Sequence, residues 1–339
     1  MTDFSLSITS WYRQNKRNLP WRNTSNPYFI WLSEVILQQT RVDQGTNYYN
    51  KFIKNYPTII HLANASEKEI LNDWQGLGYY SRARNLHASA KIIQSKFQGV
   101  FPSNYNDILS LKGVGPYTAA AISSFAFNEK KAVVDGNVYR LLSRYFDIST
   151  PIDSTNGIKE FQSLANELIS STNPGEHNQA IMELGSVVCS PSEPNCIYCP
   201  LNNSCLAFSK GNYKERPIKT TKVKIKKRYF HYLIFENQEF TLIKQRTEKD
   251  IWQNLFEFPL IETFDTPSDE EALNWSNQKS ESIQIKHILS HQHIFVTFQH
   301  IPLLPKSNDV GIKIKKEDIQ EYPLPRVIDK YITKSTFNW

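Results

Sequence analysis

The sequence predicts a chain of two classes, an all-α region followed by an α+β domain, joined by a basic linker. Three observations point to this: helix caps and stops upstream, short β-rich runs downstream, and a sharp rise in positive charge between them. The 339 residues are 40% hydrophobic and 13% aromatic, enough for two ordinary cores with no transmembrane run. The first residues, Met-Thr-Asp-Phe-Ser-Leu-Ser, lack the basic and apolar segments of a signal peptide, so a soluble protein is expected.

Taken in order, Asn26-Pro27 opens a helix that runs through Trp31, Glu34 and Leu37. Ser66-x-x-Glu69 reads as a capping box, and Gly76 and Gly99 sit where helices should stop. Beyond the linker the pattern changes to Tyr229–Phe235, Phe240–Ile243 and Ile294–Phe298, runs with strand character. The expected divisions are therefore residues 1–209, a linker over 210–228, and 229–339. The net charge of +6 is concentrated in that linker, where nine Lys/Arg and one acid leave the rest of the chain at −2. Such a stretch is either a solvated tether or one that binds phosphates by releasing counterions.

All four cysteines, Cys189, Cys196, Cys199 and Cys205, fall in one short loop. Soft sulfur donors suit an iron-sulfur cluster or zinc. Structural zinc usually takes two Cys-x2-Cys knuckles, whereas one tight pair with two longer arms favours a [4Fe-4S] cluster.

Leu111-Lys-Gly-Val-Gly-Pro-Tyr-Thr118 places two glycines between an apolar helix end and an Ala-rich helix. Gly113 and Gly115 permit a tight hairpin, with Pro116 at the first turn of the next helix. This is either a plain αα-corner or a hairpin whose bare N–H groups meet a DNA phosphate. In Val133-Val-Asp-Gly-Asn-Val138, Asp135 interrupts an apolar run and can cap a helix. Glu34 lies among Trp31, Val35 and Leu37. It is either a solvated helical acid or a desolvated one, protonated and able to act as a general acid. Two carboxyls in unlike surroundings can divide labour, one donating a proton and one stabilising a cation.

Together these motifs resemble the MutY adenine DNA glycosylases of the helix-hairpin-helix, iron-sulfur superfamily. The resemblance rests on Leu19-Pro-Trp-Arg22, Trp31-Leu-Ser-Glu-Val-Ile-Leu-Gln-Gln-Thr-Arg41, Gly76-Leu-Gly-Tyr-Tyr-Ser-Arg-Ala-Arg-Asn-Leu-His87, the glycine hairpin, Val134-Asp-Gly-Asn-Val138 and the cysteine loop. It implies a DNA glycosylase acting on duplexes with adenine opposite 8-oxoguanine or guanine, with a [4Fe-4S] cluster on the four cysteines. It further implies a cytoplasmic, nucleoid-associated bacterial monomer with no membrane contact. By resemblance Glu34 is the acid and Asp135 the stabilising carboxylate, with Asn137 and Tyr117 beside them. Arg17, Trp21, Leu37 and Gln179 would form the adenine pocket. Gln38, Gln39, Thr40, Tyr79, Arg82, Gly113 and Gly115 would meet DNA.

Tyr117 separates this reading from endonuclease III-like lyases, which carry a lysine there; a phenol forms no imine. The C-terminal domain resembles a MutT-like (Nudix-like) module through Ile251-Trp-Gln-Asn-Leu-Phe-Glu-Phe-Pro259 and Leu289-Ser-His291. No acidic magnesium box follows, so binding rather than hydrolysis is expected. Leu289, Ser290 and His291 would recognise 8-oxoguanine, with Leu289 where the family often has a Phe. The rival readings are a non-catalytic DNA-binding adaptor and a bifunctional lyase.

Overall fold

Local sequence signals set the helix boundaries of the computed structural model, which describes residues 3–221, 224–263, 282–305 and 310–334. The helices are α1 (Asp3–Asn15), α2 (Pro27–Leu37), α3 (Val42–Asn55), α4 (Ile59–Asn64), α5 (Glu67–Asp73), α6 (Ser81–Lys96), α7 (Tyr105–Leu109), α8 (Pro116–Phe127), α9 (Gly136–Tyr145), α10 (Thr155–Leu168), α11 (Pro174–Val187) and α12 (Leu206–Ser209). Asn26 caps α2 by accepting from the Tyr28 N–H, and Pro27 sits where its missing N–H leaves nothing unpaired. Ser66 and Glu69 close both halves of the capping box on α5. Gly76 and Gly99 follow α5 and α6 with φ of 100° and 79°, the conformation that ends helices at glycine. Among the described residues no helix is long and apolar enough to cross a membrane.

The chain forms two compact units, Met1–Asn64 with Asn85–Thr221, and Ala65–Arg84 with Lys222–Trp339. In the first, α1 packs on α11, and α11 on α8 and α9. Ile8, Val133, Leu142, Phe161, Ile181 and Leu184 are almost wholly buried between them.

The second unit holds a four-stranded sheet ordered β4–β1–β6–β5 and a three-stranded sheet ordered β3–β2–β7. The strands are β1 (Lys226–Phe235), β2 (Phe240–Gln245), β3 (Phe256–Glu257), β4 (Leu260–Thr263), β5 (Ser282–Ile288), β6 (Gln292–Ile301) and β7 (Ile312–Lys315), and α13 (Arg326–Lys334) follows. The three β-rich runs read from sequence are β1, β2 and β6. β1 lies parallel to β6 and antiparallel to β4. Its long run of buried positions is that of a central strand covered on both faces. Phe298 stacks between Tyr232 at 5.4 Å and Tyr331 of α13 at 3.9 Å.

Two features differ from the sequence reading. Ala65–Arg84, expected in the helical region, packs with the C-terminal chain. Gln75 Oε1 accepts from Leu324 N at 3.1 Å, Arg84 donates to the Gln253 carbonyl at 2.8 Å, and Lys68 lies 3.8 Å from the centre of the Tyr322 ring. Nor is the basic stretch 210–228 a uniform extended tether. Lys210 and Arg216 pair with Asp147, and Asp153 accepts from Thr220 N and Thr221 N. Lys226 already starts β1, and Arg228, 8% exposed, is clamped by Asp250 and Glu262. Acids distant in sequence neutralise charges that a linear count leaves exposed. Lys222 and Val223 of that stretch, and residues 264–281 of the region read for a magnesium box, lie outside the described residues.

Candidate active site

A cavity of about 600 Å³ opens in the first unit, a volume typical of small-ligand sites. Every residue expected to be catalytic or to line the adenine pocket borders it: Arg17, Trp21, Glu34, Leu37, Tyr117, Asp135, Asn137 and Gln179. These residues come from widely separated segments, so their convergence is a property of the fold.

Glu34 sits two turns into α2 and is only 9% exposed. Burial raises its carboxyl to about 7, against a hydrogen bond from the Tyr117 hydroxyl, and the charge of Asp135 adds to the rise. Tyr117, on the first turn of α8, is itself raised well above the phenol range by burial and by the two carboxylates. It therefore remains a donor.

Asp135 caps α9, with Oδ1 accepting from the N–H groups of Asn137 at 2.9 Å and Val138 at 2.8 Å. Its Oδ2 accepts from Asn137 Nδ2 at 2.7 Å. Burial raises Asp135 too, but these three donors and the Arg140 guanidinium oppose it. At Glu34 only the Tyr117 hydroxyl does so. One cavity thus holds a desolvated acid and a carboxylate whose ionised form is supported by donors.

Arg140 joins this pair to the cysteine loop. Its guanidinium donates to Asn137 Oδ1 at 2.9 Å, the Gly185 carbonyl at 2.5 Å and the Cys189 carbonyl at 2.6 Å. The four cysteines border one small void with Arg144 and Tyr213. Among the described residues no three His, Cys, Asp or Glu side chains converge closely enough to hold a single metal ion. Four sulfurs around one void are a donor set whose chemistry suits a soft metal centre. Burial raises the Cys196, Cys199 and Cys205 thiols, Cys199 to about 11, and charge on the neighbouring sulfurs adds to it. Such a quartet ionises together only with a cationic centre to offset the repulsion. Arg144 donates to Cys189 Sγ at 3.4 Å and to the Ser190 and Pro191 carbonyls, pinning the start of the loop.

The hairpin residues behave as glycines should. Gly113 has φ 79°, and a Cβ there would lie 2.6 Å from Asn85 Cβ. Gly115 precedes α8 and faces open space. After α2, Gln39 is exposed with φ 53°, while Gln38 donates to Thr118 Oγ1 at 3.2 Å. Gln38, Gln39 and Thr40 all border the cavity.

The remaining expected residues gather in the second unit. Leu289, Ser290 and His291 form the tip between β5 and β6, where Leu289 N donates to the Gln292 carbonyl at 2.8 Å. Tyr79, 43% exposed with φ 48°, donates through its hydroxyl to Ser290 Oγ at 2.9 Å. Arg82, expected at the DNA, is 9% exposed. It donates to the Gly78 carbonyl and lies over the Trp74 ring, shaping the turn that carries Tyr79.

Sequence reading missed Glu183. Its side chain is 1% exposed and accepts from Arg17 N, Nε and NH2 and from both terminal nitrogens of Arg22. Those donors outweigh burial and hold its carboxyl down at about 2. The signal was present, because Glu183 follows Gln179 by four on α11 and so shares its helix face.

Comparison with known proteins identifies the two parts of the chain. The HhH-GPD superfamily base excision DNA repair profile matches residues 32–167, and a NUDIX domain profile matches residues 231–334. The adenine DNA glycosylase of Buchnera aphidicola subsp. Baizongia pistaciae is 36% identical, covering 98% of this chain and 96% of that protein. Its counterpart from subsp. Acyrthosiphon pisum is 32% identical over 97% and 96%. The human adenine DNA glycosylase is 42% identical over 61% of this chain and 40% of its own. Among solved structures, a thermostable thymine-DNA glycosylase aligns with TM-score 0.57 at 30% identity, over 61% of this chain and 95% of that one. An endonuclease III–DNA complex aligns with TM-score 0.54 at 20% identity, over 61% and 94%, which shows the shared fold. With similarity to relatives running nearly end to end, the chain belongs to the adenine DNA glycosylase family.

Proposed function

We propose that this protein hydrolyses the N-glycosidic bond of adenine mispaired with 8-oxoguanine or guanine and leaves an abasic site. The observation that carries the reading is the pairing of buried Glu34 with donor-supported Asp135 in one cavity. Adenine must leave the stack to enter, at a cost of a few kcal/mol that a mispair lowers. Glu34 donates a proton to adenine N7, because the base departs poorly as an anion. Asp135 stabilises the positive charge that grows on the deoxyribose only near the transition state.

Asn137 orients the aspartate through its 2.7 Å bond to Oδ2. Arg17, Trp21, Leu37 and Gln179 hold the base. Water then attacks the sugar, and Tyr117 offers no amine for a Schiff base, so the reading is monofunctional. Exposed Gln39 and Tyr79 enter the stack, while the Gly113–Gly115 hairpin meets a phosphate. Cys189, Cys196, Cys199 and Cys205 would hold a [4Fe-4S] cluster, whose contribution is to fix their loop. Ser290 and His291 supply exposed polar contacts for 8-oxoguanine, with no ring from Leu289.

The test is a glycosylase assay on A:8-oxoguanine and A:G duplexes, with and without alkali, plus borohydride trapping. Strand breaks that need alkali, with no trapped adduct, are expected. Efficient trapping without alkali would favour a lyase. Tight duplex binding without base release would favour a non-catalytic adaptor.

A further inference from the structure

Arg17 and Arg22 on the cavity wall can only donate, whereas the amides of Gln38, Gln39, Asn137 and Gln179 each carry an acceptor on one side and two donors on the other. What Gln179 offers the cavity therefore depends on which way its amide is turned. The neighbour that settles its orientation lies outside the cavity lining. Tyr12 of α1 is 2% exposed, packed in the core of the first unit, and its hydroxyl donates to Gln179 Oε1 at 2.5 Å. Arg22 and Lys16 lie 5.5 Å and 5.6 Å from the centre of the Tyr12 ring and flank it. The phenol is kept protonated, raised by burial and by the charges of Glu183 and Glu176 against that of Arg22. It therefore keeps the proton that it gives to Oε1.

We infer that Tyr12 is a positioning residue that sets the polarity of the base-reading amide. By occupying Oε1 it turns Nε2 of Gln179 toward the cavity, so the pocket offers a donor at that point. This rests on the proposed reading of the cavity as an adenine site and deepens it. A fixed donor pairs with a bare ring nitrogen, which adenine presents at N1 and N3. At N1 it also selects against guanine, whose N1–H would leave two donors facing each other unpaired, whereas N3 is bare in both purines. An unmade bond of this kind discriminates by about 5- to 150-fold. Nothing in Tyr12 touches the base; it acts through Gln179.

The experiment uses full-length protein and single-turnover base release from duplexes carrying adenine, 1-deazaadenine or 3-deazaadenine opposite 8-oxoguanine. Each deaza analogue replaces one ring acceptor with C–H. The wild type is expected to favour adenine over one analogue, beyond any difference in spontaneous base loss, by roughly tenfold or more. Tyr12→Phe keeps the ring in the core and removes only the hydroxyl. It should shrink that ratio at least about fivefold, because the freed amide samples both orientations. Gln179→Met, which leaves Tyr12 in place, should shrink the same ratio. A Tyr12→Phe protein that slows on adenine and analogue alike, with the ratio intact, overturns the inference and leaves Tyr12 a packing residue. So does a wild type that favours adenine over neither analogue. Failure of the wild type to release adenine at all overturns the adenine-site reading and this inference with it.

Discussion

Removing the Tyr117 hydroxyl should move the alkaline limb of the pH–rate profile, because that hydroxyl is the group that opposes the rise of Glu34. Burial lifts Glu34 to about 7, the charge of Asp135 pushes the same way, and the Tyr117 hydrogen bond holds it down. A net hydrogen bond contributes about 0.5–1.5 kcal/mol. At about 1.4 kcal/mol per pKa unit, Tyr117→Phe should raise Glu34 by up to about one unit. The sign follows from the chemistry: a general acid works while protonated, so base release is full below this pKa and falls as pH rises through it. Single-turnover adenine release across pH should therefore show a wild-type limb near 7 and a Tyr117→Phe limb above it. The limb belongs to the coupled Glu34–Asp135 pair, so its position rather than the plateau height is the readout. In Glu34→Gln the limb should vanish. A limb in the same place in Tyr117→Phe, or one that survives in Glu34→Gln, would refute the assignment of Glu34 as the acid.

Other outcomes follow from single sites. Gly113→Ala forces φ 79° on a residue with a Cβ and drives that atom to 2.6 Å from Asn85. It should lower thermal stability by about 1–2 kcal/mol and weaken binding to undamaged duplex; unchanged affinity would remove the hairpin from the DNA contact. Glu183, held down at about 2 against an ordinary 4.5, contributes stability that is full above pH 4.5 and lost as pH falls toward 2. The gap between wild type and Glu183→Gln in urea unfolding should therefore close over that interval, and a gap independent of pH would contradict the clamp. His291→Ala should erode the preference for 8-oxoguanine over guanine opposite adenine while sparing the chemical step. Equal loss on both mispairs would mark His291 as structural.

Much of this was legible in the chain because it is written locally. Asn26-Pro27, Ser66 with Glu69, and Gly99 each announce a helix end through chemistry within a few residues. The three recognised strands carry their own β-rich runs. Glu34 stood out because an acid among Trp31, Val35 and Leu37 is conspicuous on a helix. What escaped depends on partners far apart in sequence. Glu183 is intelligible only once Arg17 and Arg22 are folded against it, and Arg228 reads as a tether charge until Asp250 and Glu262 close on it. The packing of Ala65–Arg84 with the C-terminal chain has the same origin, since Gln75 meets Leu324 across 249 residues. β5 and β7 were passed over although Ile283 and Ile285, and Ile312 and Ile314, alternate with polar residues, because each holds only two such apolar positions in register.

The central claim is that Glu34 and Asp135 perform the chemistry from one cavity. It is tested most directly by comparing wild type, Glu34→Gln and Asp135→Asn for duplex affinity and single-turnover adenine release on the same A:8-oxoguanine substrate. Asparagine caps a helix as well as aspartate does, so Asp135→Asn keeps α9 in place and removes the charge alone. Both variants should bind the duplex with near wild-type affinity, and Glu34→Gln should release adenine about 10²- to 10⁴-fold more slowly, with a comparably severe loss in Asp135→Asn. Near-normal release by either variant would contradict the account.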